Sequence, residues 1–428
     1  MAITIHQSPQ IHSPGFNDLV YVVSSTNTAQ TNFQYLCDIY LTNDSGAISH
    51  AGRTYLREKT PVDPLYSSGV FNISNHIRSF LTYDLHGSSG SVMKCPNSNL
   101  QVVCKFGEEY GPSSGITQYA DLATASTVIV KNQVFDFLDF KDFNYSNYTN
   151  PSGNTTAKFL TNVVSTDATT GFRKFTVRDN EDAWLYKMAS ASNEAMYFNI
   201  RTYDNLGSII ATHQIYNAFS AISTVGRYSY QIPAGPLNIN LIPENDIVGA
   251  NVQPIIYSSV YSYDIWSANA SNTQTSEKIK FVIDYNCVED TVYRLFFLNK
   301  LGGFDAHSFT LAHTFETNVK REIFKRNMIT RIGGGNYGYN KYDSSDVQYL
   351  TTNKDTVKVV SNWIDENTST WLEELVTSPV VYLYDSTHGY VSVNITDSKH
   401  VRKQWRRDGL FNIELSFTYG YDRYRQTL

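Results

Sequence analysis

The chain has 428 residues, with 31 tyrosines, 23 phenylalanines and only 17% charged side chains, against roughly a quarter in an average soluble chain. Its formal charge of −6 argues against a general nucleic-acid binder, which would be strongly basic. No run of about 18 apolar residues is present, so no membrane-spanning helix is expected.

Aromatic side chains with few competing charges suit strands and contact surfaces. The composition therefore points to a mainly β protein made to be packed against. Its length gives a prior of about three domains of roughly 150 residues each. The fold class expected is two β-sandwich-like regions followed by a small α+β C-terminal domain. The opening residues, Met1 to His6, lack a basic stretch followed by an apolar one, so no signal peptide is expected. Sequons such as Asn72-Ile73-Ser74 then reflect Asn and Ser richness, not glycosylation.

Residues 1–135 read as short alternating strands, an N-terminal β-sandwich with one short helix. Leu19–Val23 and Phe33–Leu41 are two of the strands, with Thr42 to Gly46 as a turn. Ile73, Ile77, Phe80 and Leu81 make one apolar stripe, which predicts a helix near residues 72–81. Residues 136–156 are rich in Asn, Tyr, Ser and Asp and read as a linker or long loop.

Residues 157–330 form a middle β-rich region. Expected strands are Arg173–Val177, Met196–Thr202, Ile209–Ile215, Tyr228–Ile232, Ile279–Ile283, Tyr293–Leu298 and Ser308–Leu311. Tyr293–Leu298 is apolar on both faces and should be a central, doubly covered strand. Residues 331–354 read as a flexible Gly/Tyr-rich connector around Gly333-Gly334-Gly335.

The C-terminal α+β domain, 355–428, is the clearest. Asp365–Thr377 predicts a helix with Thr368, Trp371, Leu372 and Leu375 on one stripe, Glu373 and Glu374 in solvent, and Pro379 as the stop. Val380–Tyr384 and Val391–Ile395 predict a hairpin, and Phe411–Tyr419 alternates as a half-buried strand.

The four cysteines suggest core packing more than chemistry. Cys37, Cys104 and Cys287 share strand parity with apolar neighbours, and Cys95 beside Pro96 reads as a loop residue. No close Cys-x-x-Cys pair is present, so neither a disulfide nor a thiolate-bound metal is expected. His307 and His313 share parity but lie roughly 20 Å apart along a strand, too far for one metal. Asp136, Asp139 and Asp142 recur every third residue among phenylalanines, without the Gly turn and bidentate acid of a calcium loop. They read as solvated acids on an aromatic strand or short helix. The three glycines at 333–335 lack the Gly-Lys-Ser/Thr continuation of a phosphate loop. Asp179, Glu181 and Asp182 could supply the carboxylate pair of a glycosidase, but a solvated turn before a strand explains them as well. No catalytic residue, metal or cofactor is expected, and the chain is read as non-enzymatic.

The sharpest charge lies at Lys399, Arg402, Lys403, Arg406 and Arg407, interleaved with Trp405. Such a cluster fits a protein interface, where Arg and Trp are enriched, a nucleic-acid contact through phosphate and stacking, or a solvated hairpin. Tyr337 and Tyr339 are the other candidate interface residues, from the Gly/Tyr-rich segment.

Several blocks carry a resemblance. They are Phe106-Gly107-Glu108-Glu109-Tyr110-Gly111, Pro233 to Asn240, Tyr293 to Asp305, and Trp371 to Pro379 with the closing strand Phe411–Tyr419. Together the sequence resembles a family of virion structural proteins of tailed bacteriophages infecting Bacteroidetes, the crAss-like phages among them. The resemblance implies a tail, neck or baseplate component, a subunit of a ring, collar or baseplate acting through oligomerisation. It implies copies of itself and other virion proteins as partners, and a location in the virion after synthesis in the host cytoplasm. It carries no functional residues over. A receptor- or glycan-binding tail protein is the alternative, with Tyr-rich loops stacking on sugars, and a glycan-cleaving tail enzyme is a third reading.

Overall fold

A computed structural model describes residues 3–43, 54–87, 90–150, 155–220, 229–249, 253–288, 291–341, 344–397 and 410–424. The fold is mainly β, with 46% of the described residues in strands and 9% in helices. The chain forms two compact units, Met1–Asn286 with Leu298–Ala306, and Cys287–Phe297 with His307–Leu428.

The first unit begins with a β-sandwich. One sheet orders Thr4–Gln7, Val20–Ser24 and Ser68–Asn72. The other orders His12–Pro14, Val128–Lys131, Asn99–Tyr110, Gln34–Thr42 and Leu56–Pro61, with Thr117–Thr124 also on Asn99–Tyr110. Period-two alternation sends Tyr21, Val23 and Phe71 from one sheet and Tyr35, Cys37, Cys104 and Phe106 from the other into a single core. The Phe106 ring sits 5.4 Å from Tyr21 and 5.7 Å from Phe71, centroid to centroid. Burying such a ring contributes about 1.5–3 kcal/mol. The helix expected near 72–81 is shorter than its stripe, an α turn at Ser74–Ile77 continued as a 3-10 turn at Arg78–Phe80.

The middle region packs two further sheets. The larger orders Arg173–Val177, Ile279–Ile283, Ser262–Ala268, Tyr197–Tyr203, Ile209–Tyr216 and Ile247–Val248. The smaller orders Trp184–Met188, Ser229–Pro233 and Met93–Cys95. That last strand comes from the N-terminal region, so the two regions share a sheet within one unit. It also corrects the loop expected at Cys95, which ends a strand and is buried. Tyr263, Phe281 and Phe175 stack in series, with centroids 5.2 and 5.3 Å apart.

The segment expected as a linker, 136–156, is anchored at points before and within its described part. Asn17 exchanges two hydrogen bonds with the Phe135 backbone, each 2.8 Å. The buried Lys187 ammonium donates to the carbonyls of Tyr148 and Met188 at 2.5 and 2.8 Å and lies 3.7 Å from the buried Glu194 carboxylate. Glu194 in turn accepts from the backbone N–H groups of Asn150 and Ser190. Desolvation pulls the Lys187 ammonium down to about 8, with Glu194 opposing that shift. A charge buried this deeply persists because it is paired and hydrogen-bonded.

The second unit is built on one sheet. Its order is Phe304–Phe309, Tyr293–Leu298, Val381–Asp385, Gly389–Ile395, Glu414–Tyr419, Asp346–Val360 and Thr314–Lys325, with Arg423–Tyr424 also on Asp346–Val360. Tyr293–Leu298 is internal and almost wholly buried, as its two apolar faces require. The helix Glu366–Thr377 starts where Asp365 accepts a hydrogen bond from the Thr368 N–H at 2.8 Å. It buries Trp371, Leu372 and Leu375, and the Trp371 ring lies 5.6 Å from that of Phe297. Glu374, expected in solvent, is buried too. Cys287, expected in the core, is exposed, because the strand carrying its parity stops at Ile283.

Candidate interaction surface

The Gly/Tyr-rich connector expected at 331–354 is not a linker. It is the far end of a long β-hairpin, hereafter the arm. Thr314–Lys325 pairs antiparallel with Asp346–Val360, from Thr314 opposite Lys358 to Lys325 opposite Asp346, with one bulge at Glu322/Ile323. Twelve residues at the strand rise span about 40 Å. Near its tip a second small hairpin joins Thr330–Gly333 to Asn336–Gly338. Gly333, Gly334 and Gly335 turn it with φ of 108°, 59° and 87°. Those values suit residues without a Cβ, so the glycine run serves a tight reversal and not a flexible tether.

The arm leaves its sheet after a short distance. Among the described residues a third strand covers its Asp346–Val360 side only at Thr356–Val360 and at Thr352–Asn353. Outward from there only two strands remain, and among the described residues nothing pairs with the outer edge of Thr314–Lys325. Every residue of that strand except Glu322 is exposed. Phe315, Val319, Ile323 and Phe324 face solvent there, Tyr349 does so on the partner strand, and Ile329 and Ile332 near the tip. Tyr337 and Tyr339 are each 70% exposed. A two-stranded ribbon is marginal alone, and a bare edge beside apolar side chains invites pairing.

The root of the arm is fixed. Asp355 is buried and accepts from the Thr317 hydroxyl at 2.9 Å and from the Arg423 guanidinium. Further out, the Tyr349 hydroxyl donates to Glu322 at 2.6 Å across the strands, and that bond holds the Glu322 carboxyl below its ordinary range. The ribbon is thus preset in shape while its surface stays open.

The arm is also basic. Between residues 320 and 341 stand Lys320, Arg321, Lys325, Arg326, Arg331 and Lys341 against the single acid Glu322. That stretch is net +5, and over the whole arm, residues 314–360, eight Lys and Arg against five Asp and Glu leave +3 on a chain totalling −6.

Of the residues the sequence singled out, Tyr337 and Tyr339 lie together at the arm tip. Lys399, Arg402, Lys403, Trp405, Arg406 and Arg407 lie outside the described residues. The strands flanking the tip went unread because a ribbon exposed on both faces has no apolar alternation. The usable signal was a Thr-, Val- and aromatic-rich stretch on each side of a glycine turn.

The acids at 179–182 divide between surface and interior. Asp179 is exposed while Glu181 and Asp182 are buried, against the expectation of a solvated turn. The Glu181 carboxylate accepts from the Arg178 N–H at 2.9 Å, and its carbonyl accepts from the Leu237 N–H. Gly235 packs so closely here that a Cβ would stand 2.3 Å from the Ala183 nitrogen. Asn238 clamps the same turn through the Ala183 carbonyl at 2.7 Å. Among the described residues no group of three or more His, Cys, Asp or Glu is placed to hold a metal ion. Among the described residues no helix is long and apolar enough to cross a membrane. No family model matches the chain, and no curated protein matches it either.

Proposed function

We propose that this chain is a structural subunit of a bacteriophage tail assembly, a ring, collar or baseplate component whose work is oligomerisation. The arm carries this reading. A ribbon about 40 Å long and about 10 Å wide offers about 800 Å² over its two faces, the per-partner area of a standard specific interface. Its root is locked by Asp355 and Thr317, so little ordering entropy remains to be lost on docking. The resemblance to virion proteins of Bacteroidetes phages supplies the setting. The partners would be further copies of the chain and other virion proteins.

Imaging of the phage particle with a label on this chain tests the reading. Several copies arranged around the tail axis are expected. A protein that stays monomeric in solution and is missing from particles would refute it.

A second reading, a receptor- or glycan-binding tail protein, draws on Tyr337 and Tyr339. Two exposed phenol rings on a stiff tip suit stacking on sugar faces. Host-glycan binding that disappears in Tyr337→Ala/Tyr339→Ala, with the oligomer intact, would favour it over the first.

A further inference from the structure

We propose that the arm of one copy docks on residues 135–143 of a neighbouring copy, in a head-to-tail contact. This rests on the oligomeric reading above and names its two halves.

The receiving segment is built in an unusual way. Phe137–Lys141 forms a single helical turn, and Phe137 and Leu138, side by side, are 84% and 74% exposed. A helix this short has no stability of its own. It is held from beneath: the Phe135 and Phe143 rings pack 4.8 Å apart, the Phe135 backbone is gripped by Asn17, and Gln10 donates to the Phe143 carbonyl at 2.7 Å. The fold therefore fixes two large apolar side chains in an outward position, where burying each would be worth about 1.5–3 kcal/mol. A preset apolar pair on the surface marks a contact site.

Charge selects the partner. Around Phe137 and Leu138 stand Asp139 and Asp142, both exposed and without an ion pair among the described residues. Asp136 is engaged by Lys300 at 2.9 Å, and Lys141 is the one cation within the segment. The arm presents the inverse pattern. Ile323 is exposed on one face of the strand between Arg321 and Lys325, and Phe324 on the other, where Lys320 pairs with Glu322 at 3.5 Å. Apolar flanked by acid faces apolar flanked by base, which steers encounter and fixes register. The two surfaces differ, so the contact is heterologous and repeats from copy to copy. It closes into a ring or runs on as a filament according to the rotation at each step.

Charge reversal tests this by sedimentation velocity. One variant carries Lys320→Glu, Arg321→Glu, Lys325→Glu and Arg326→Glu; the other carries Asp139→Lys and Asp142→Lys. All six positions are exposed or solvent-facing, and a thermal melt checks that both variants fold. Each alone should fall to monomer, with self-affinity lowered at least 100-fold. An equimolar mixture should recover the wild-type oligomer, since each reversed arm then meets a reversed patch. If the wild type is itself monomeric, the oligomeric reading fails and this inference with it. If the wild type assembles and the arm variant assembles equally well, only the docking is overturned. Loss in the arm variant alone, without loss in the patch variant or rescue on mixing, overturns residues 135–143 as the receiving surface. Loss of DNA or anionic-vesicle binding with an unchanged oligomer would likewise overturn a second copy as the partner.

Discussion

The N-terminal sandwich and the arm are made from the same kind of strand but are finished differently. In the sandwich, Tyr21, Phe71 and Phe106 meet between two sheets, and each of these rings packs on another. In the arm, Phe315, Ile323 and Phe324 stand on a ribbon with one exposed edge and no covering layer among the described residues. Cations follow the same division. Lys187 is sunk in a knot of carbonyls and Glu194, whereas Lys320, Lys325 and Arg326 stand exposed on the arm. Strand-forming sequence therefore does two jobs in this chain, closing cores in one place and presenting surface in another.

The contrast is sharpest for single ring removals. Phe106→Ala should cost the first unit about 3–5 kcal/mol, as a large core ring lost to a cavity. Phe324→Ala should leave the stability of the isolated chain within about 0.5 kcal/mol, as an exposed position does. Urea melts of both variants check this, and comparable losses would mean that the arm is packed like a core.

Lys187→Ala should cost about 3–5 kcal/mol, because Glu194 would be left buried without its cation. The double change Lys187→Met/Glu194→Gln should recover part of that loss. Equal stability of single and double variants would show that the pair contributes no coupling.

A pH titration separates the units differently. His307, against Trp371 and with its Nε2 enclosed, is pushed down to about 4 by burial and by Arg294. Its folded value lies below the unfolded one of about 6.5. Its contribution is therefore complete above pH 6.5 and is lost as pH falls from 6.5 to 4, at most about 3 kcal/mol. Hydrogen exchange over Glu366–Thr377 should quicken across that window and stop doing so in His307→Phe. An unchanged acid response in the variant would assign the effect elsewhere.

A change at the arm root should be local. Asp355→Asn removes the charge that Arg423 meets at the arm root while keeping an acceptor for Thr317. Loss of one such charge-assisted bond is worth about 1.5–3 kcal/mol at most, felt mainly by the arm. Exchange over residues 314–360 should rise about tenfold with the Glu366–Thr377 helix unchanged. Uniform acceleration through the unit would contradict a local role.

What could be read from the sequence follows the same division. Arg173–Val177, Ile279–Ile283 and Tyr293–Leu298 have the bounds their patterns predict, because a buried strand writes its faces into the sequence. The helix after Asp365 was legible from its stripe and from Pro379 as its stop, though its cap was not. The arm was not, since its apolar residues point to both sides and its glycines resemble a linker. Buried polar groups were misread for a related reason. Glu181, Asp182 and Glu374 look solvated by type, and only tertiary contacts reveal that the fold encloses them. Of the surface, the sequence supplied Tyr337 and Tyr339 but not the ribbon that presents them.

The direct test is sedimentation velocity on the full chain beside one in which residues 321–351 are replaced by Asn-Gly, a two-residue turn between the paired Lys320 and Thr352. The intact chain should sediment as a defined multi-subunit species and the shortened one as a folded monomer with an unaltered first-unit melt. An identical oligomeric state for both, whether assembled or monomeric, would contradict the arm as the element that joins the copies.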